Sequence, residues 1–492
     1  MKVCFVGIDI GTMSVKGLLT DSLGTIVAQA SAPLRLATPR PGWVEQSPEL
    51  WWASTVSVLD QLTIDRNCQI MGVSVSGQMH SLVPLDAQGD VVRPAILWSD
   101  QRTAAEATEL TERYGGEEAV IESLGNPILS GFTAPKILWL RHNEPEQFAR
   151  VARVCLPKDY IAWRLTGILC TDPSDASGTS LYSVPENAWD EQACKLLGID
   201  TSMLPEVRPS GAIIGPVSCP YLPRLTGVPV IVGGADNAAS AYGCGVEAPG
   251  DTMISLGSSG TVVAVSGNST PDQSGRVHLF QHVLSGSTYH MAVILSATNS
   301  LDWYRERFAG KMSFGRVEEL VNSSPVGSNG VIFLPYLNGE RTPHRDSDAR
   351  GVLFGLSSFH GQGDVLRAIH EGVVFALREG AECIRDLGTP MTSVRIVGGG
   401  SRSHTWCQML ADNLGVDIWS PLVDEGAAYG SARLASKAVG SDTCAWVKLT
   451  ESYRPDPWRG QQYTQWYEEY RQLYRSVKDQ YKRISTLLER GK

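Results

Sequence analysis

A chain of 492 residues exceeds what one hydrophobic core holds, and its length sets an expectation of about three domain-sized units. A formal net charge of −10 argues against a nucleic-acid footprint and against attraction to anionic membrane surfaces. The ten cysteines are scattered without one Cys-x-x-Cys pair, which suggests neither a zinc site nor a disulfide framework and fits a reducing compartment.

The first apolar run, Val3 to Ile8, is broken at once by Asp9; it is too short for a secretory leader and reads as a strand. No stretch approaches the length of a membrane span, so the expectation is a soluble, cytoplasmic protein. Val3 to Thr20 follows a strand, tight turn, strand pattern; a turn at Asp21 to Gly24 leads to a third strand, Thr25 to Ala30. An acid inside an apolar strand is costly unless something ionic uses it. Gly11, Thr12 and Ser14 beside it offer open backbone and two hydroxyls, a cradle for phosphate with Asp9 holding hydrated Mg²⁺. An ordinary hairpin with a solvated Asp9 fits the same residues.

A proline-rich loop with an aromatic, Pro39 to Gln46, precedes a helix started by Ser47-Pro48-Glu49 and carrying Trp51 and Trp52. The strand Ile70 to Ser76 ends in Gly77-Gln78-Met79-His80, and polar groups past a strand's carboxyl end are where open α/β sheets bind ligands. His80 alone would fit a structural role. After the strand Ala95 to Leu97, Trp98-Ser99-Asp100-Gln101-Arg102 sets an aromatic beside an acid and a base, which suits a polyhydroxylated ligand. An amphipathic helix from Pro157 and the loop-like Asp172 to Thr179 read as support or lid material, and Thr201 to Gly227 as a connecting region.

The strand Val228 to Val232 runs into Gly233-Gly234, and small helix formers follow from Ala238. Asp236 is thereby placed at a strand-to-helix junction near the positive end of a helix dipole. It can be a catalytic carboxylate facing a cleft, or simply a helix cap. Past a boundary near Ala248-Pro249-Gly250, Thr252 to Val265 repeats the strand, Gly/Ser turn, strand pattern about half a chain later. Duplicated α/β domains facing each other would let two such hairpins grip one polyphosphate. Gly330 to Leu337 precedes the polar run Asn338 to His344, and Val365 to Leu387 forms a helix. Ser393 to Val397 then meets Gly398-Gly399-Gly400-Ser401-Arg402-Ser403, a turn that leaves room for a base or ribose. It is not Gly-x-Gly-x-x-Gly with a downstream acid, so no dinucleotide fingerprint is present. In the final helix, Gln461 to Leu488, a stripe of Tyr463, Trp466, Tyr467, Tyr470 and Tyr474 reads as a face docked on the body.

Taken in order, GIDIGTMSVK, PGWVEQSPELWW, SGQMH, ILWSDQR, GFTAPKILWL, LPKDY, GGADNAAS, SLGSSG, LNGERTPH, GVLFGL, LRAIHEGVVFAL and GGGSRS resemble the FGGY carbohydrate kinases, and among them the xylulokinases. The resemblance spans residues 3 to 440. It implies an α/β fold of two duplicated actin-like ATPase (ribonuclease H-like) domains with a cleft between them. Residues 1–247 would form the sugar-binding domain with the catalytic base, 248–440 the nucleotide-binding domain, and 441–492 a helical extension. It further implies transfer of the γ-phosphate of MgATP to the 5-hydroxyl of a ketopentose, D-xylulose first. The alternatives are ribulose, fuculose or glycerol as acceptor, or a non-catalytic nucleotide switch of the actin/Hsp70 type.

Carried over by residue, Asp9 is similar to the family's Mg²⁺/phosphate-side aspartate. Gly11, Thr12 and Lys16 are similar to its first phosphate loop, and Gly257 and Ser258 to its second. Gly399, Gly400 and Ser403 are similar to its adenosine-side turn. Gln78, Met79 and His80 would bind sugar together with Trp98, Asp100 and Arg102, and Asp236 would be the base. Ser258 stands where many members have Thr, and Ser403 where a relative uses Asn. ATP and Mg²⁺ are the implied cofactors and a small sugar the partner, with no nucleic acid or membrane and a homodimer by analogy.

Overall fold

The computed structural model describes residues 2–64 and 67–490. Two sheets dominate it. In the first, the strand Lys2–Ile10 pairs antiparallel with Ser14–Asp21, which pairs antiparallel with Ile26–Pro33. On its other side Lys2–Ile10 runs parallel with Cys68–Gly77, which runs parallel with Pro229–Ala235; Ile213–Pro216 closes that edge antiparallel. The second sheet repeats this order. Asp251–Leu256 pairs antiparallel with Gly260–Ser266, then Thr288–Ile294, and runs parallel with Ser393–Val397 and Ile418–Pro421; Leu449–Tyr453 closes the edge antiparallel. One extra strand, His278–Gln281, extends the other edge. Two hairpins expected half a chain apart are thus the openings of two copies of one topology.

Both faces of the first sheet are buried, as its mixed and largely parallel centre requires. Val6, Ile8 and Ile10 pack with Trp51, Val58, Leu59 and Leu62 of the Pro48–Thr63 helix. Phe5, Leu18 and Ile231 pack instead on Ala428, Tyr429, Ala432 and Ala435 of the helix Gly426–Ala438. A helix from the chain's second half therefore covers the first sheet. Its approach is close enough to demand glycine: a Cβ on Gly7 would lie 1.9 Å from Ala428 O, and one on Gly430 1.8 Å from Ala239 O.

The second sheet is covered by the helix Gln362–Asp386, whose Leu366, Ile369, Val373 and Leu377 are buried. On it docks the helix Pro457–Arg490, with Tyr463, Tyr467 and Tyr470 almost wholly buried. Their hydroxyls find partners there: Arg367 Nη2 donates to Tyr463 at 2.8 Å, Tyr467 donates to Glu382 at 2.7 Å, and Tyr470 meets Tyr336 at 2.6 Å. All ten cysteines are free. Among the described residues no helix is long and apolar enough to cross a membrane.

Candidate active site

Three neighbouring parallel strands end side by side, and their registers set the site. Ile10 pairs with Gly77, and Gly77 with Ala235. Asp9, Gln78 and Asp236 consequently leave the same carboxyl edge of the sheet, where open α/β sheets place their ligands. Asp236 is the first residue of the helix Asp236–Gly243 and not its cap, which is Ala235. Its Oδ1 accepts from the Asn237 amide at 2.7 Å and from Asn237 Nδ2 at 3.0 Å. Burial pushes the Asp236 carboxyl up to about 6 against those two hydrogen bonds. Asp9 rises to about 7, through burial first and then the nearby Asp236 charge, with Lys16 opposing. Its Oδ1 is buried without a partner.

Gln78, Met79 and His80 are buried, and Gln78 Nε2 has no hydrogen-bond partner, a donor left for a ligand oxygen. The Gln78 side-chain oxygen accepts from Thr12 Oγ1 at 3.3 Å, and Thr12 in turn accepts from Trp98 Nε1 at 3.0 Å. Thr12 thereby faces the expected sugar residues as well as the first hairpin. His80 sits at φ 68°, held by Lys136 Nζ and Thr133 Oγ1, which both donate to its carbonyl, at 2.8 and 3.0 Å. Its Nδ1 lies 2.5 Å from Gly178 O, and its ring stacks on Phe132 at 4.3 Å. Burial holds the imidazole down to about 3, so it is neutral; with Nδ1–H on the carbonyl, Nε2 is left as an acceptor.

Asp100 and Arg102 depart from expectation. Their side chains are 0% and 1% exposed, and Arg102 Nη2 lies 2.7 Å from Asp100 Oδ2 while Arg102 Nη1 lies 2.7 Å from Glu45. Arg102 also stacks over Trp43, 3.8 Å from the ring centre. A buried pair with both charges matched has nothing left to offer a sugar. These two residues brace the loop that carries Trp98.

Facing this edge is a cavity of about 460 Å³ lined by Asp9, Lys16, Asp236, Asn237, Gly399 and Asp424, among others. Beyond Gly399 and Arg402 it adjoins a second cavity of about 500 Å³. That one is lined by Leu301, Val317, His370 and Trp406 together with Gly400 and Ser403, a space of suitable size and polarity for a nucleoside. The second hairpin puts Gly257 and exposed Ser258 at its tip, and a Cβ on Gly398 would lie 3.0 Å from Leu256 O, so turn and hairpin meet. Gly11, Thr12, Gly257 and Ser258 do not line either cavity.

Sequence reasoning passed over several lining residues. Asn237 lies within GGADNAAS and is the hydrogen-bond partner of Asp236. Asp424 accepts from the Gly398 amide at 2.7 Å. Glu318 receives the hydroxyls of Ser403 and Thr405 from mid-helix, and His370 stacks on Trp406 at 4.1 Å. Glu318 lies in none of the motifs, and His370 lies within LRAIHEGVVFAL, where only the apolar helix face was read.

The model of the FGGY family of carbohydrate kinases, N-terminal domain, matches residues 4–243, and that of its C-terminal domain matches residues 252–439. The chain belongs to the FGGY carbohydrate kinases. This FGGY kinase is 37% identical over 487 residues to the xylulose kinase of Bacillus subtilis, covering 96% of this chain and 97% of that one. It is 39% identical over the same length, with the same coverage, to the xylulose kinase of Lactococcus lactis. A solved xyloylose kinase from Brucella ovis superposes with a TM-score of 0.91 at 35% identity, covering 97% of this chain and 99% of that one. The FGGY kinase thus has the two-lobed actin-like ATPase fold and phosphorylates a carbohydrate from ATP.

Proposed function

We propose that this kinase transfers the γ-phosphate of MgATP to the 5-hydroxyl of D-xylulose. One observation carries the catalytic part: Asp236 leaves the sheet edge beside Asp9 and Gln78, in the cavity that opens towards the Gly398–Ser403 turn. In this reading Asp236 takes the proton of the attacking hydroxyl, which must lie within hydrogen-bond reach. Gln78 Nε2 and His80 Nε2 supply one donor and one acceptor to neighbouring sugar hydroxyls, and Trp98 walls the pocket. Lys16 and the two hairpins stand on the phosphate side, where phosphoryl transfer depends on positioning and charge compensation. Residues 1–247 serve as the sugar-binding unit and 248–440 as the nucleotide-binding unit, to which 441–492 add the strand Leu449–Tyr453 and the docked helix Pro457–Arg490.

A divalent ion fits the residues present. Asp9 offers one buried, unpartnered carboxylate oxygen, and among the described residues no group of three His, Cys, Asp or Glu gathers as a resident metal cage. Mg²⁺ favours one or two carboxylates plus phosphate oxygens and water, so it would arrive with ATP and be held by Asp9. Bound there, it offsets phosphate charge.

The acceptor is tested by measuring ADP formation across ketopentoses, ketohexoses, pentitols and glycerol. D-xylulose should give the highest kcat/KM; a preference for glycerol or ribulose would replace it. A second expectation concerns pH. The base must be ionised and its carboxyl stands near 6, so kcat/KM for the sugar should fall about tenfold per pH unit below 6. A profile flat down to pH 5 would contradict the assignment.

A further inference from the structure

Four buried charged side chains gather behind the strand that leads to Asp236. Lys158, on the helix Pro157–Thr166, has its Nζ 2.6 Å from Asp159 Oδ1, 2.9 Å from Asp172 Oδ1 and 3.5 Å from Asp175 Oδ2. All four are at most 3% exposed. One cation among three carboxylates in a dry interior is expensive, and burial holds Asp175 well above the usual carboxylate range. Such a cluster persists when the surrounding structure uses it, and the free side of Asp172 shows how.

Asp172 Oδ2 accepts from the Ser174 amide at 3.0 Å, from the Ser174 hydroxyl, and from the Ser210 hydroxyl at 2.8 Å. With its proton directed at Asp172, Ser174 Oγ turns a lone pair outward and accepts the Ala235 amide at 3.0 Å. Ala235 immediately precedes Asp236. The strand register slips between Val232 and Ala235, across Gly233 and Gly234, so this amide is held from outside the sheet. Two adjacent glycines before a catalytic side chain would otherwise leave it loosely aimed.

We propose that Ser174 is a positioning residue for Asp236, with Asp172 and Lys158 fixing the direction in which its hydroxyl accepts. This rests on Asp236 being the base. Misplacing a reacting group by an ångström slows the reaction without weakening the binding of either substrate.

The test compares Ser174→Ala with Ser210→Ala in the full chain. Both remove one hydroxyl bonded to the same Asp172 oxygen, but the hydroxyl that accepts the Ala235 amide is that of Ser174. Ser174→Ala should lower kcat between about 10- and 100-fold with KM for sugar and MgATP within about twofold. Ser210→Ala should stay within about twofold in all three, because the hydroxyl that accepts the Ala235 amide belongs to Ser174 and is left in place. In an Asp236→Asn background, Ser174→Ala should add no further loss. Should the alanine variant not accumulate, Ser174→Cys keeps the volume but accepts weakly, and should give the same split. Equal losses from both serines, or a full Ser174 effect persisting beside Asp236→Asn, would overturn the tether. Full activity of Asp236→Asn alone overturns the base assignment and the tether with it. An inactive Asp236→Asn beside a fully active Ser174→Ala overturns only the tether.

Discussion

Asp236→Asn should lower sugar-dependent ADP formation by a factor of about 10² to 10⁴ while leaving KM for MgATP within about twofold. The asparagine keeps the volume and can still accept from the Asn237 amide, now 2.7 Å from Asp236 Oδ1, so the junction should keep its shape. What it loses is proton affinity. A carboxyl raised to about 6 is ionised at neutral pH yet basic enough to draw a proton from an alcohol as the phosphoryl group arrives, whereas an amide oxygen is not. The second cavity, proposed for the nucleoside, lies across the turn at Gly399 and Arg402 and is not lined by Asp236, which is why nucleotide binding should be spared. Turnover within tenfold of the parent enzyme would take the base role away from this residue.

Gly430→Val should be the most damaging single change to stability. Its Cβ would stand 1.8 Å from Ala239 O and 2.6 Å from Ala239 C, both backbone atoms that cannot rotate aside. The two helices would have to separate, and Asp236 begins one of them. A cost of at least about 3 kcal/mol is expected, read as a lower melting temperature and reduced soluble yield. Gly361→Ala is the matched control, since nothing lies within 4 Å of its Cβ position; it should change stability by less than about 1 kcal/mol. Equal melting of the two variants would mean the helices tolerate a wider spacing than their contacts imply.

What could be read from sequence was local. The strand, double glycine and helix around Asp236 follow from β-branched residues, backbone freedom and small helix formers in succession, and the structure forms them within a few residues of the expected positions. The tyrosine stripe was legible from its three- and four-residue spacing, which is the period of a helix face. Charge pairing was not. Arg102 looked available because its neighbours in the chain are polar, but Glu45 and Trp43, which occupy it, lie some sixty positions earlier. The segment Asp172 to Thr179 read as support or lid material, and nothing local shows that Lys158 and Ser210 would bury its carboxylates. The carboxyl edge itself was foreseeable at each strand end, while the register that sets three ends level is a long-range pairing.

The helix Gly426–Ala438 lying on the opening sheet has a bearing on biosynthesis. The residues that shield one side of Lys2–Ile10 leave the ribosome more than four hundred positions after that strand. Until then Phe5, Leu18 and Ile231 lack that cover, so the nascent amino-terminal half must wait, exposed to chaperones or to self-association, for that helix to arrive. A truncated transcript ending before Gly426 would leave that side bare for good, and its product should be recovered in aggregates.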